Sequence, residues 1–103
     1  MQVEWTDPAL DDLAVIRDYI GKDSSHYARQ FIERIFDAVD KLKGHPQIGR
    51  PVSEADHKDV RELIFRGYRI IYRAKPDCVQ IVTVVHGSHN LAAKDVKPWD
   101  IVR

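Results

Sequence analysis

The apolar residues of this 103-residue chain follow two periods, and the change from one to the other divides the sequence. Between residues 7 and 43 they recur at every third or fourth position, which predicts amphipathic helices. Between residues 61 and 85 they alternate with polar residues or run together, and Val, Ile, Phe and Tyr dominate, as is typical of strands. The pattern predicts an α+β fold in which a helical layer covers one side of a sheet.

The helical half contains two start signals. After a short alternating stretch at residues 3–6, which predicts an opening strand, Asp7 and Pro8 stand where an N-cap and a first helical residue are expected. Ser24 or Ser25 caps a second helix. Its apolar stripe consists of Ala28, Phe31, Ile32, Ile35, Val39 and Leu42. Because the connection is only a few residues long, the two helices are expected to form an antiparallel hairpin that packs on the sheet.

Two tight turns divide the strand-forming half into three strands. One turn is centred on Arg66 and Gly67, and the other on residues 75–78, where Pro and Asp favour chain reversal. Alternation in the middle strand places Tyr68, Ile70 and Tyr72 on one face and Arg69, Ile71 and Arg73 on the other. We therefore expect the elements to follow one another along the chain in the order β-α-α-β-β-β. The strands are expected to form a mostly antiparallel sheet with one basic face, and residues 44–59 are expected to form a loop.

Charge and composition narrow the class of protein. The 16 basic and 16 acidic residues cancel, which argues against a general binder of polyanions. Residues 1–23 nevertheless carry a net charge of −4 and residues 61–75 a net charge of +4. A single cysteine, Cys78, rules out an intrachain disulfide framework and suits a reducing cytoplasm. With no apolar run near 18 residues and no signal peptide, we expect neither a membrane span nor secretion.

Arginines and histidines are the candidates for chemistry. Arg69, Arg73 and Arg61 can form a cationic patch that holds phosphates or carboxylates, or they can pair with the acidic helices or lie solvated. His86 and His89 follow the last strand, where an imidazole can act as acid or base near neutral pH. Two histidines alone do not complete a metal site, so no metal or cofactor is expected.

A C-terminal tail from about residue 90 to 103 follows the last strand. Trp99, in this tail, is costly to leave in water, so it is expected to dock on the domain or on a partner. We expect the whole chain, residues 1–103, to form one domain.

Four stretches together resemble the RelE/ParE superfamily of bacterial type II toxins, and the resemblance covers nearly the whole chain. They are WTDPALDDL at residues 5–13, GRPV at 49–52, RELIFRGYRIIYR at 61–73 and VVHGSHNL at 84–91. The resemblance implies a toxin that forms a hetero-oligomeric complex with a cognate antitoxin in the bacterial cytoplasm. An antitoxin segment of this kind would lay apolar side chains on the helix hairpin and pair acids with the sheet arginines.

The superfamily divides by mechanism. RelE-like members are described as ribosome-dependent endonucleases that cut messenger RNA with arginines, lysines and usually a tyrosine or histidine. Arg69 matches their GYR arginine, but His89 replaces a second arginine, Asp95 replaces a tyrosine, and VRELIF lacks the expected lysines. If the chain is such a nuclease, Arg69, His86 and His89 are its expected catalytic residues.

ParE-like members, described as poisons of DNA gyrase without the nuclease residues, resemble this chain better through GYRIIYR and the VxHG ending. The resemblance thus favours a gyrase inhibitor over a ribonuclease, with a non-toxic binding module as a third possibility. The residues expected to bind the target or the antitoxin are Arg61, Arg69, Arg73, His86, His89 and Trp99.

Overall fold

In the part of the chain that the structure describes, five strands form one sheet and two helices cover one side of it. The computed structural model describes residues 1–87 and Trp99. The elements in chain order are β1 (Gln2–Trp5), α1 (Asp7–Gly21), α2 (Ser25–Asp40), a 3₁₀ turn (Lys41–Lys43), β2 (Arg50–Pro51), β3 (Val60–Phe65), β4 (Tyr68–Ala74) and β5 (Cys78–His86). The predicted α+β fold with its helix hairpin is confirmed, whereas the predicted tail, apart from Trp99, lies outside the described residues.

The strands lie in the order β1-β5-β4-β3-β2. Only β1 and β5 pair in parallel, and the other neighbours are antiparallel. The prediction of a loop over residues 44–59 missed β2, whose two residues Arg50 and Pro51 pair with Glu62 and Arg61. A two-residue strand with a proline has almost no period for a sequence pattern to reveal.

Side-chain caps fix both helix starts. Thr6, and not Asp7, is the N-cap of α1, since its hydroxyl oxygen accepts a hydrogen bond from the Ala9 N–H at 3.2 Å and Asp7 is already helical. Ser24 caps α2 by accepting from the Tyr27 N–H at 3.1 Å, as predicted. With each cap in place, the apolar stripe of each helix turns towards the sheet.

The main core lies between the helices and the side of the sheet that faces them, here called the helix-facing side. It contains buried side chains of both layers: Ala9, Leu13, Ile16, Phe31, Ile35, Val39, Leu42, Ile70, Tyr72, Val79, Ile81 and Val84. Tyr68 also packs against this core. Tyr68, Ile70 and Tyr72 therefore share the helix-facing side, as predicted. Ile71 belongs to a different cluster, which places it on the other face, also as predicted.

That second cluster covers the opposite, outer side of the sheet. It consists of Val52, Val60, Ile71, Val82 and Trp99, all of them buried. Trp99 is 2% exposed, so the prediction that it docks on the domain or on a partner is confirmed for the domain. Both sides of the central strands are thus covered, as the nearly continuous apolar sequence of β5 predicts.

A bulge in β5 ties α1 to the sheet. Ile71 lies opposite Thr83 and Tyr72 opposite Ile81, so Val82 is an extra residue in β5. Asp12 of α1 accepts hydrogen bonds at this bulge from the Thr83 hydroxyl and from the Val84 N–H, the latter at 3.1 Å. One of the acids of the negatively charged N-terminal segment therefore has a structural role.

Candidate functional site

The structure places the three predicted arginines on different sides of the sheet. Arg69 and Arg73 project to the outer side with Ile71, as alternation along β4 requires. Arg61 lies directly opposite Tyr72 in the β3–β4 pair and so belongs to the helix-facing side. The three cannot form one patch.

Arg69 is held by two carboxylates and is only 8% exposed. Its two terminal nitrogens each donate to a different oxygen of Glu54, both at 2.9 Å, and its Nε donates to Glu62. The hydrogen bonds from Arg69 lower the pKa of Glu54 to about 2, against the opposing effect of burial. The same bonds raise the pKa of Arg69. Every guanidinium nitrogen of Arg69 has an acidic partner in its own chain.

Glu62 is buried on β3 and bridges two arginines. Its Oε1 accepts from Arg69, and its Oε2 accepts from the Nε of Arg50 at 2.8 Å. These residues line a cleft of about 520 Å³, here called the outer cleft, with Pro51, Ser53, Glu54, Ile64, Gly67 and Gly87. Two arginines and two glutamates make its side-chain charge neutral.

Arg73 connects two segments of chain that lie over the outer side. Its Nε donates to Asp59 at 2.9 Å and its NH1 donates to the Trp99 carbonyl oxygen at 3.0 Å. Burial works to raise the pKa of Asp59, but the hydrogen bond and positive charge of Arg73 lower it overall. Asp59 and Glu54 both belong to residues 52–59, the strap between β2 and β3, so this strap supplies an acid to each β4 arginine.

The prediction that Arg69 and Arg73 form an open cationic patch is therefore wrong. Both arginines pair with acids of their own chain instead. The partners are not the acidic helices, however, but the strap and β3. Spacing along the chain does not reveal this, because the strap has no periodic pattern that shows which residues turn back onto the sheet. Whether these arginines contact a target or an antitoxin stays a prediction.

Arg61 and Tyr72 fasten the segment before β2. Arg61 donates to the Gly49 carbonyl oxygen at 2.7 Å. The Tyr72 hydroxyl donates to the Pro46 carbonyl at 2.8 Å and accepts from the Gly49 N–H at 2.9 Å. Burial raises the pKa of Tyr72, so its hydroxyl stays protonated and keeps its donor role.

The predicted histidine and arginine chemistry is not assembled on one face. His86 lies opposite Tyr68 across the β4–β5 pair, with the two rings 5.6 Å apart, whereas Arg69 lies opposite Val85. Adjacent pairs project to opposite sides of a sheet, so His86 is on the helix-facing side and Arg69 on the outer side. His89 lies outside the described residues.

Cysteine and metal chemistry are two further possibilities for the part of the chain that the structure describes. Burial raises the pKa of the Cys78 thiol, which makes it a poor nucleophile. In residues 1–87 and Trp99, no three His, Cys, Asp or Glu side chains are arranged to hold a metal ion. No helix within these residues has the length and hydropathy needed to cross a membrane.

A groove on the helix hairpin was not singled out by the sequence pattern. It encloses about 650 Å³ between α1 and α2, and we call it the hairpin groove; its lining residues are Arg17, Asp18, Gly21, Lys22, Ser25, Ala28, Arg29, Ile32, Glu33 and Phe36. Phe36 is 42% exposed there. A signal was available, since Phe36 lies outside the buried stripe of α2 and large apolar residues there indicate a second contact surface.

Comparison with known proteins identifies related toxins. Residues 3–91 match the sequence model of a family described as the ParE toxin of type II toxin–antitoxin systems, parDE. The chain is 40% identical over 87 residues to Y4kP of Sinorhizobium fredii, whose name marks it as a candidate toxin, covering 82% of this chain and 86% of that protein. It is 38% identical over 88 residues to Toxin RelE2 of Caulobacter vibrioides, covering 84% and 96%.

Solved structures share the fold. A chain of the chromosomal ParDE toxin–antitoxin system from P. aeruginosa superposes with a TM-score of 0.70 at 24% identity, covering 84% of this chain and 95% of the other. A chain of the toxin–antitoxin complex RelBE2 from Mycobacterium tuberculosis gives a TM-score of 0.57 at 22% identity, covering 82% and 95%.

Proposed function

Because this chain belongs to the ParE toxin family and is a toxin of a type II toxin–antitoxin system, we propose that it inhibits DNA gyrase and is neutralised by a cognate antitoxin in the bacterial cytoplasm. The toxin acts by binding its target and not by catalysis. The observation that supports this mechanism most directly is the position of Arg69. Its guanidinium is saturated by Glu54 and Glu62, and it projects to the side of the sheet opposite His86.

This geometry disfavours the ribonuclease alternative. A general acid or base must reach the same phosphodiester that a cation stabilises, and the sheet separates His86 from Arg69. Arg69 would also have to leave two carboxylates, one of them buried, to contact a phosphate. The name RelE2 of one relative therefore does not by itself argue for messenger cleavage by this chain.

The hairpin groove fits an antitoxin segment. Its lining includes the apolar residues Ala28 and Ile32, and Phe36 is partly exposed in it, so an amphipathic helix could bury an apolar face there. Among its lining residues, Arg17, Lys22 and Arg29 outnumber Asp18 and Glu33, which favours an acidic segment. Toxin and antitoxin would form a hetero-oligomeric complex through this surface.

Purified toxin tested on gyrase provides the decisive experiment. We expect loss of supercoiling and accumulation of cleaved DNA, both reversed by the cognate antitoxin. Primer extension on messenger RNA after induction is the parallel measurement. Codon-positioned cuts together with unaffected gyrase would overturn the proposal in favour of a ribonuclease, and full-rate growth of cells that express the toxin alone would indicate a binding module without toxicity.

A further inference from the structure

Arg66 has a left-handed backbone conformation in the turn between β3 and β4. Its φ is 48° and that of Gly67 is 86°, so both central residues of this two-residue turn lie in a region that Gly, Asn and Asp adopt at least cost. The same turn with Asn at position 66 would be less strained. A residue held in a costly conformation points to a role other than folding.

The Arg66 side chain lies against two aromatic residues. Its guanidinium carbon is 5.3 Å from the centre of the Phe65 ring, and its NH1 donates to the Tyr27 hydroxyl at 3.3 Å. Contacts of this kind are weak at exposed sites. No acid in the described part of the chain forms an ion pair with Arg66, in contrast to Arg69. Its charge therefore stays available to an anionic group of another molecule.

The turn that carries Arg66 is fixed to the rest of the domain. The Gly87 N–H donates to the Gly67 carbonyl oxygen at 2.7 Å, which ties the turn to the end of β5. Below it, Phe31 of α2 packs edge-on against Phe65 and Tyr68, with ring centres 5.4 and 5.6 Å away. Because the support is already ordered, binding through Arg66 costs little additional conformational entropy.

The surface around Arg66 is aromatic. We call it the β3–β4 tip, and it consists of Tyr27, Phe65, Arg66, Gly67 and Tyr68. Tyr27 is 43% exposed, Arg66 and Gly67 are exposed, and Phe65 and Tyr68 are half-buried. Arginine and tyrosine are among the residues that contribute most to binding energy at protein interfaces. The composition of the tip is therefore that of a binding surface.

The charge of the β3–β4 tip favours a protein partner over nucleic acid. A nucleic-acid site neutralises several phosphates with several cations. Within the described part of the chain, Arg66 is the only cation that stacks on or hydrogen-bonds to the rings of the tip. A single arginine among aromatic rings instead matches one carboxylate set among apolar side chains.

The β3–β4 tip and the hairpin groove lie on different sides of α2. Phe36, which lines the groove, follows Tyr27 by about two and a half helical turns, so their side chains project in opposite directions. Tyr27 is not among the residues that line the groove. A segment bound in the groove therefore does not need to contact Arg66, and variants can test the two surfaces separately.

We propose, on the basis of the proposed function, that the β3–β4 tip is the surface through which the toxin contacts gyrase. Arg66 pairs with a carboxylate on the surface of the target protein. The rings of Tyr27 and Phe65 contact apolar side chains around this pair and exclude water from it, which strengthens the attraction.

The test depends on Arg66→Asn. Asn suits the left-handed conformation, so the variant removes the guanidinium and keeps the turn. The toxin concentration that halves gyrase supercoiling should rise by about tenfold or more, while the urea midpoint stays the same or rises. Arg66→Lys keeps the charge but loses the planar fork, and we expect an intermediate loss of inhibition. The matched control is Lys58→Asn, which removes one positive charge from the exposed strap and should inhibit as the unmodified toxin does.

Two further titrations identify the partner. The cognate antitoxin should bind all four proteins with equal affinity, and an equal fall in antitoxin affinity and in inhibition for Arg66→Asn would overturn the proposal. Binding of duplex DNA by the toxin alone, lost in Arg66→Asn, would overturn it in favour of nucleic acid.

The inhibition assay distinguishes this inference from the proposed function. If the unmodified toxin inhibits gyrase and Arg66→Asn inhibits it equally well, or if Lys58→Asn loses as much inhibition as Arg66→Asn, the assignment of the tip is wrong and the proposed function stands. If the unmodified toxin leaves gyrase unaffected, the proposed function fails and the tip is not a gyrase contact.

Discussion

Arg69 and Glu54 face each other as two parallel forks, with both terminal nitrogens of the guanidinium 2.9 Å from the two carboxylate oxygens. A bidentate pair of this kind is stronger and more directional than a single hydrogen bond. Since Glu54 belongs to the strap and Arg69 to β4, the pair holds the strap against the outer side of the sheet. We infer that Arg69 acts first as an internal fastener.

Glu54→Gln should therefore destabilise the fold. The amide keeps the size of the side chain but can accept only one of the two charge-assisted bonds, and Arg69 retains Glu62, so we expect a loss of about 1–2 kcal/mol in the free energy of unfolding. Urea denaturation measures it. The matched control is Asp18→Asn, which breaks an exposed pair with Arg17 and should change stability by less than about 0.5 kcal/mol. Equal effects in the two variants would contradict the fastening role.

Acid should weaken the protein through the same pair. The pKa of Glu54 is lowered from 4.5 to about 2 in the folded chain, so the stabilisation is present above the unfolded value and is lost as the pH falls from about 5 towards 2. Asp59, whose pKa is also lowered, contributes with the same sign. Denaturation at a series of pH values should show a steeper decline for the unmodified chain than for Glu54→Gln, and parallel curves would exclude this pair as the cause.

At Gly49 the local packing leaves no room for a Cβ atom. A Cβ atom there would lie 2.6 Å from both the Glu62 carbonyl oxygen and the Tyr72 hydroxyl. Gly49→Ala should cost about 1–3 kcal/mol of stability by overpacking, measured by thermal or urea unfolding. Gly44→Ala, where no atom lies within 4 Å of the new Cβ, should be neutral or slightly stabilising. Similar losses at both glycines would count against the steric explanation.

The sequence reveals those features that depend on periodicity. The helix hairpin and the two faces of β4 follow from spacings of 3.6 and 2 residues. The sequence also allows the side of the sheet that carries Arg61 to be predicted. The two-residue turn at Arg66 and Gly67 fixes the β3–β4 register and places Arg61 opposite Tyr72. The basic face was predicted wrongly because alternation along β4 shows which side Arg69 and Arg73 are on but does not show the acids that pair with them there.

Other features depend on contacts that have no local signal. The position of Glu54 over Arg69 depends on how the strap turns back, and the Val82 bulge depends on Asp12, which is 71 residues from Thr83 in the chain. Trp99 reaches the outer core from a segment that follows β5. Each of these is a tertiary contact between residues that propensity treats as independent.

The hairpin groove gives a prediction about the antitoxin. Arg29 lines this groove on α2, and its reversal in Arg29→Glu would place a second acid beside Glu33. If an acidic antitoxin segment binds there, its affinity should fall by about tenfold, most strongly at low salt, because like charges would then face each other. Lys58→Glu makes the same charge change on the exposed strap and should leave the affinity nearly unchanged.

Calorimetric titration of antitoxin into each variant, with inhibition of gyrase followed in parallel, separates loss of neutralisation from loss of toxicity. If Arg29→Glu and Lys58→Glu weakened the complex equally, net charge and not the groove would control the association.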